Sequence, residues 1–111
     1  WRVIGRLNQV RAENTNLGVV GTNARLDKLG ATKVAQMAHD GLARAIRPAH
    51  GMGDGDTIFA VSVPADDARA DVTLIGHLAA QVLADAILSA VLHVDSAYGV
   101  PSATELGRRR A

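Results

Sequence analysis

Apolar residues along this chain gather in two short stretches, one a β-branched run and one alternating, and recur with a helical period in two long ones. Residues 16–24, NLGVVGTNA, form a β-branched run bounded by Asn and Gly, which predicts a buried strand. From Asp27 to Arg47, Val34, Met37, Ala38, Leu42, Ala45 and Ile46 recur at three- and four-residue spacing, with Lys33, Gln36, Asp40, Arg44 and Arg47 mostly between them. That pattern predicts one amphipathic helix, stopped by Pro48, which disfavours helical geometry in the residue before it and has no N–H to donate. A glycine-rich loop, HGMGDGD, leads into TIFAVSV at 57–63. There Ile58, Ala60 and Ser62 fall on one face and Thr57, Phe59, Val61 and Val63 on the other, as in a strand packed on both sides. After Pro64 and the acidic Asp66, Asp67 and Asp71, an apolar pattern runs to about Val94. Its polar residues Thr73, His77, Gln81, Asp85 and Ser89 repeat every fourth position. One narrow polar stripe on a long helix predicts that the helix is mostly buried by more than one neighbour. The tail from Ser96 to Ala111 holds turn formers and ends in Arg108, Arg109 and Arg110, and reads as a solvated terminus.

The order strand, helix, strand, helix is that of an α/β fold. Two strands make a marginal sheet that cannot cover two apolar helices. The strands are therefore expected to join a sheet supplied by another segment or chain.

Length and composition narrow this picture. At 111 residues there is room for one core. The chain opens on Trp1 and not on Met, and its first residues carry neither the apolar run nor the small-residue cleavage site of a secretory signal, so it reads as a piece of something longer. Aromatics are 3% of the residues against 48% apolar in all, so the core must be built from Ala, Val, Leu and Ile at close contact. Twelve basic residues against 11 acidic ones leave a net charge of +1, which provides no electrostatic reason for a nucleic acid or an anionic membrane as partner. The stretch from Val72 to Leu92 raises a membrane question, but His77, Gln81 and Asp85 inside it would be costly in a bilayer, and a soluble helix is expected. The absence of cysteine excludes disulfides, thiolate metal sites and cysteine nucleophiles, and fits a cytoplasmic location.

Candidate chemistry is sparse. No GxSxG elbow surrounds Ser62, Ser89, Ser96 or Ser102, and His39, His50, His77 and His93 form neither an HxxxH pair nor HExxH, so neither a serine hydrolase nor a histidine-rich metal site is expected. His77 and His93 read as ordinary helix residues, whereas His50, in the glycine-rich loop, is open to a site role. In Gly53-Asp54-Gly55-Asp56-Thr57 two carboxylates stand two residues apart at the mouth of a strand. Such a pair can tune each other's pKa and orient a nucleophile or an ammonium group, though the loop by itself reads first as a solvated Asp-Gly turn. A calcium loop would need further oxygen ligands and a late Glu. A DxDxT phosphatase would need its strand before the first Asp, and here the strand follows. Asn14-Thr15-Asn16, before the first strand, is by itself a turn.

From Asn14 to about Ala60 the chain resembles the C-terminal segment of the DmpA-type P1 peptidases, the family of β-aminopeptidases, D-aminopeptidases and the nylon-oligomer hydrolase. The stretches that carry the resemblance are NTNLGVVGTNARL, KVAQMAHDGLARAIRPAH and DGDTIFAVS. It implies a precursor that cleaves itself into a long α chain and a short β chain whose new N-terminal residue is the nucleophile. Carried onto this sequence, the scissile bond is Asn14–Thr15, the nucleophile is Thr15, and the supporting pair is Asp54 and Asp56. Residues 1–14 would then be a linker and residues 15–111 the β-chain part of a single hydrolase domain. The implied fold is a four-layer α/β/β/α sandwich to which this segment adds about two strands and two helices. The partners implied are the α chain of the same precursor, further αβ units in a homo-oligomer, and a small peptide or amino-amide substrate.

The chemistry suits the residue types. A Thr hydroxyl needs a base, and a freed α-amine with a pKa of about 7.7–8.0 can take its proton near neutral pH, with no metal or cofactor. Two residues depart from the family's commoner pattern, Asn16 in place of Thr and Gly51 in place of Thr after the loop histidine, and both bear on substrate preference. The alternative, from another class, is an unprocessed or inactive assembly subunit with the same fold.

Overall fold

The computed structural model describes residues 15–67 and 70–110; residues 1–14, the expected linker with Asn14 of the expected cleavage site, lie outside the described residues. Strand β1 (Leu17–Thr22), helix α1 (Lys28–Ala45), strand β2 (Thr57–Ser62) and helix α2 (Val72–His93) follow in the order expected, with a further helix α3 (Ala103–Arg110). β1 and β2 pair in parallel, Leu17 opposite Thr57 through to Thr22 opposite Ser62, with α1 as the crossover between them. Backbone bonds from Thr57 N to Asn16 O and from Val63 N to Thr22 O, both 2.9 Å, extend the ladder beyond each end.

Alternation along the strands decides which face is covered. Ile58 is buried and Gly18, Val20, Thr22, Ala60 and Ser62 are half-buried, all on the face toward the helices. Leu17, Val19, Phe59, Val61 and Val63 lie open on the other side of the strands. The core is small: Val34, Ala38 and Leu42 at four-residue spacing on α1, with Ile58 and Ala79. The mixed α/β class is as expected.

Helix ends follow local chemistry. Asp27 caps α1, its Oδ1 accepting from Gly30 N at 2.7 Å, and Asp71 caps α2 by accepting from Thr73 N at 2.8 Å and Leu74 N at 3.3 Å. At the far end of α1, Ile46 leaves helical geometry two residues before Pro48, donating its N–H back to Leu42 O at 2.9 Å.

Gly30 against Val72, Met37 against Gly76 and Gly41 against Ala80 show that α1 and α2 run side by side in the same direction. Gly41 sets their separation. A Cβ there would run into the Ala80 carbonyl oxygen and stand 3.0 Å from Ala80 Cα, backbone that no side-chain rotation can relieve. Gly41→Ala should therefore destabilise the protein by about 1–3 kcal/mol, the range for overpacking a tight contact. In Gly107→Ala, by contrast, the new methyl meets no atom within 4 Å, and a gain of about 0.5–1 kcal/mol is expected from helix propensity. Denaturant titration of the two variants checks the opposite signs.

Two features differ from the sequence expectation. α2 buries only Gly76, Ala79 and Ala80; Leu74, Leu78, Val82, Leu88, Val91 and Leu92 stay exposed, because within this chain α1 is its main neighbour. By length and a mean hydropathy of 1.7, α2 would also be long and apolar enough to cross a membrane. The tail is not merely a solvated terminus: α3 is a third helix among the described residues. α3 starts at a Ser102-Ala103-Thr104-Glu105 box, in which Ser102 Oγ accepts from Glu105 N at 3.2 Å. Glu105 does not reach back to the Ser102 N–H. That N–H donates to Ser96 Oγ at 2.8 Å, and the Ser96 hydroxyl donates to Glu105 Oε2 at 2.6 Å, tying the helix start to the preceding turn.

Candidate active site

Parallel pairing brings the beginnings of both strands to the same end of the sheet. Thr15 and Asn16 lead into β1, and Asp54, Gly55 and Asp56 lead into β2, so two segments about forty residues apart in sequence become neighbours. Thr15 is exposed, and its side chain lies against Gly55. A Cβ on that glycine would fall 2.7 Å from Thr15 Oγ1. Glycine at 55 is what lets the hydroxyl approach the loop.

Asp56 is the buried member of the acidic pair, its side chain only 2% exposed. Its Oδ1 accepts twice from the residue after Thr15, from Asn16 Nδ2 at 2.7 Å and from Asn16 N at 3.1 Å. Its Oδ2 is buried without an aligned hydrogen-bond donor, although His50 Nδ1 stands 3.0 Å away. The Asn16 side-chain amide holds the Asp56 carboxyl below its ordinary pKa of 3.8. Burial works against this, and the Asn16 backbone N–H and the His50 imidazole add to it. Asp56 is therefore an ionised carboxylate at neutral pH, with one oxygen fixed and acceptor capacity left on the other.

Asp54 plays a different part. It is half-buried, and its Oδ2 accepts from Gly51 N at 2.6 Å while its own N–H donates to Gly51 O at 3.0 Å, closing the tight turn 51–54. Thr57 Oγ1 donates to Gly55 O at 3.1 Å and braces the same loop. The sequence-level candidates Thr15, Asp54 and Asp56 thus share one loop cluster. Asp56 is linked to the Thr15 segment through Asn16, and Asp54 shapes the loop.

Sequence reasoning singled out His50 and Asp56 but not the parts that Asn16 and His39 play beside them. Asn16 stood out only as a departure from a commoner Thr, and its grip on Asp56 depends on strand pairing that no local pattern reveals. His39, half-buried on α1, brings its ring centroid to 4.9 Å from that of His50 at an interplanar angle of 57°. Among the described residues no three His, Asp or Glu side chains are grouped so as to hold a metal ion.

With this geometry in place, comparison with known proteins is decisive for the family. The sequence profile of peptidase family S58 matches residues 2–104. This chain belongs to peptidase family S58, the DmpA family. It is 42% identical to an uncharacterized aminopeptidase of Mycobacterium leprae, over an alignment covering 82% of this chain and 29% of that protein. It is 40% identical to an uncharacterized aminopeptidase of Mycobacterium tuberculosis, covering 80% and 30%. Similarity extends at 31% identity to the 6-aminohexanoate-oligomer endohydrolase of a Kocuria species, covering 72% and 26%. The chain spans less than a third of the length of each of these relatives.

Proposed function

We propose that this chain carries the nucleophile of a self-processing amide hydrolase of the aminopeptidase type, and that Thr15 becomes its N-terminal residue by cleavage of the Asn14–Thr15 bond. The observation that carries the reading is the seat of Thr15: its hydroxyl lies against Gly55, and the residue after it grips a buried, ionised Asp56. Cleavage would free the Thr15 α-amine. That amine takes the proton from Oγ1 as the oxygen attacks the substrate carbonyl, and the proton passes to the leaving amide nitrogen. Water then hydrolyses the ester on Oγ1 and restores the hydroxyl. The Asp56 carboxylate, tied to Asn16 through Oδ1, puts a negative charge next to the segment that would carry the ammonium group, and the Asp54 turn holds the loop in shape.

The names of the relatives support a substrate that is a small peptide, an amino-amide or an ω-amino oligomer. In this reading the α chain of the same precursor completes the sandwich and supplies the oxyanion donors. The uncovered face bearing Leu17, Val19, Phe59, Val61 and Val63 supports it, since an apolar sheet face of this kind is expected to meet another layer. Such αβ units would assemble further in the cytoplasm. Intact-mass measurement of the mature protein tests the proposal: a short chain beginning at Thr15 is expected, and an intact Asn14–Thr15 bond would leave an inactive assembly subunit as the better reading.

A further inference from the structure

We propose that His50 is a positioning residue, orienting the Asp56 carboxylate beside Thr15, with His39 holding the imidazole in place. This builds on Thr15 as the nucleophile and extends it to two side chains that the family resemblance left without a role. Three observations converge on it. His50 has a backbone φ of +59°, a left-handed conformation that costs a residue with a Cβ, in a glycine-rich loop. A side chain kept at such a position, where glycine would be less strained, points to work done by that side chain. Its Nδ1 stands 3.0 Å from Asp56 Oδ2, while Asn16 holds Oδ1 from the other side, so the carboxylate is bracketed at both oxygens. The His39 ring, carried on α1, lies 4.9 Å from the His50 ring and limits how far it can swing.

The bracket has a mechanical consequence. Turning the carboxylate about its Cβ–Cγ bond would break the Asn16 contacts and carry Oδ2 away from the imidazole together. At 3.0 Å from Oδ2 the imidazole is close enough to hold that oxygen in place while Asn16 holds the other.

Two substitutions in the complete precursor test the role. His50→Gly keeps the left-handed backbone and removes the ring; His50→Asn keeps the backbone preference and restores an N–H donor. The readouts are kcat and KM for an amino-acid p-nitroanilide, per processed molecule, and the rate of self-cleavage followed by intact mass, which needs no added substrate. His50→Gly should lower kcat and the self-cleavage rate about tenfold with KM within about twofold, the signature of a misplaced reacting group, and His50→Asn should recover most of the loss. Unchanged rates in His50→Gly would overturn the proposal, as would a loss that appears in KM alone or one that His50→Asn does not relieve. Thr15→Ala in the same series separates the two levels. If it remains active the nucleophile assignment falls and this role with it, whereas an inactive Thr15→Ala beside a normal His50→Gly removes only the positioning role.

Discussion

Replacing Thr15 by alanine should stop self-cleavage and reduce amide hydrolysis by about a thousandfold or more, because the attacking oxygen is lost and nothing nearby replaces it. The fold should survive. Thr15 is exposed and precedes β1, so the change removes little packing, and melting of the variant should stay close to that of the parent. Thr15→Ser keeps both hydroxyl and amine and should retain part of each activity. A folded Thr15→Ala protein that still processes itself and turns over substrate would refute the mechanism.

Asp56→Asn should lower turnover by at least about a hundredfold, the scale on which positioned acid–base groups act. The change is nearly isosteric. Asn retains one oxygen to accept from Asn16, but it loses the charge and places an amide N–H group where Oδ2 now offers only lone pairs. Asp54→Asn should also lower turnover by about a hundredfold if its charge helps orient Thr15, while an Asn oxygen can still accept from Gly51 N and hold the turn. Normal rates in both variants would reduce the loop to an ordinary Asp-Gly turn. The sign of the pH dependence follows from the lowered pKa of Asp56. A carboxylate more acidic in the folded protein than in the unfolded one contributes stability above the unfolded value. That contribution shrinks below about pH 3.8 and disappears as pH falls through the folded value. Acid melts should therefore separate the parent from Asp56→Asn at neutral pH and bring them together in strong acid.

Much of this was legible from the chain itself, for a physical reason. β2, α1 and α2 announce themselves through periods of two and 3.6 residues, since which side chains share a face is a property of the local backbone, and β1 through its β-branched run. The stop before Pro48 and the Asp caps of α1 and α2 are equally local, depending on groups within a few residues. α3 was also written locally, in Ser102 and Glu105, but the polar and arginine-rich tail masked its capping box. That two strands cannot cover two apolar helices was readable too, and the described residues leave one side of β1 and β2 open.

Only tertiary structure decided the site. Parallel register, Leu17 against Thr57, is what lays Thr15 on Gly55 and hands the oxygen of Asp56 to Asn16, and register arises from the packing of α1 against the sheet, with no trace in either loop. The division of labour between two carboxylates two residues apart is likewise a tertiary outcome. Asp56 turns inward to a partner forty positions away in sequence, while Asp54 closes a turn three residues back. His39 and His50 meet because the loop after α1 folds back on the helix. Gly41 lies mid-helix in the sequence and becomes a close backbone approach of α1 to α2 only once Ala80 arrives. Sequence period specifies faces; contacts across forty residues depend on how those faces stack.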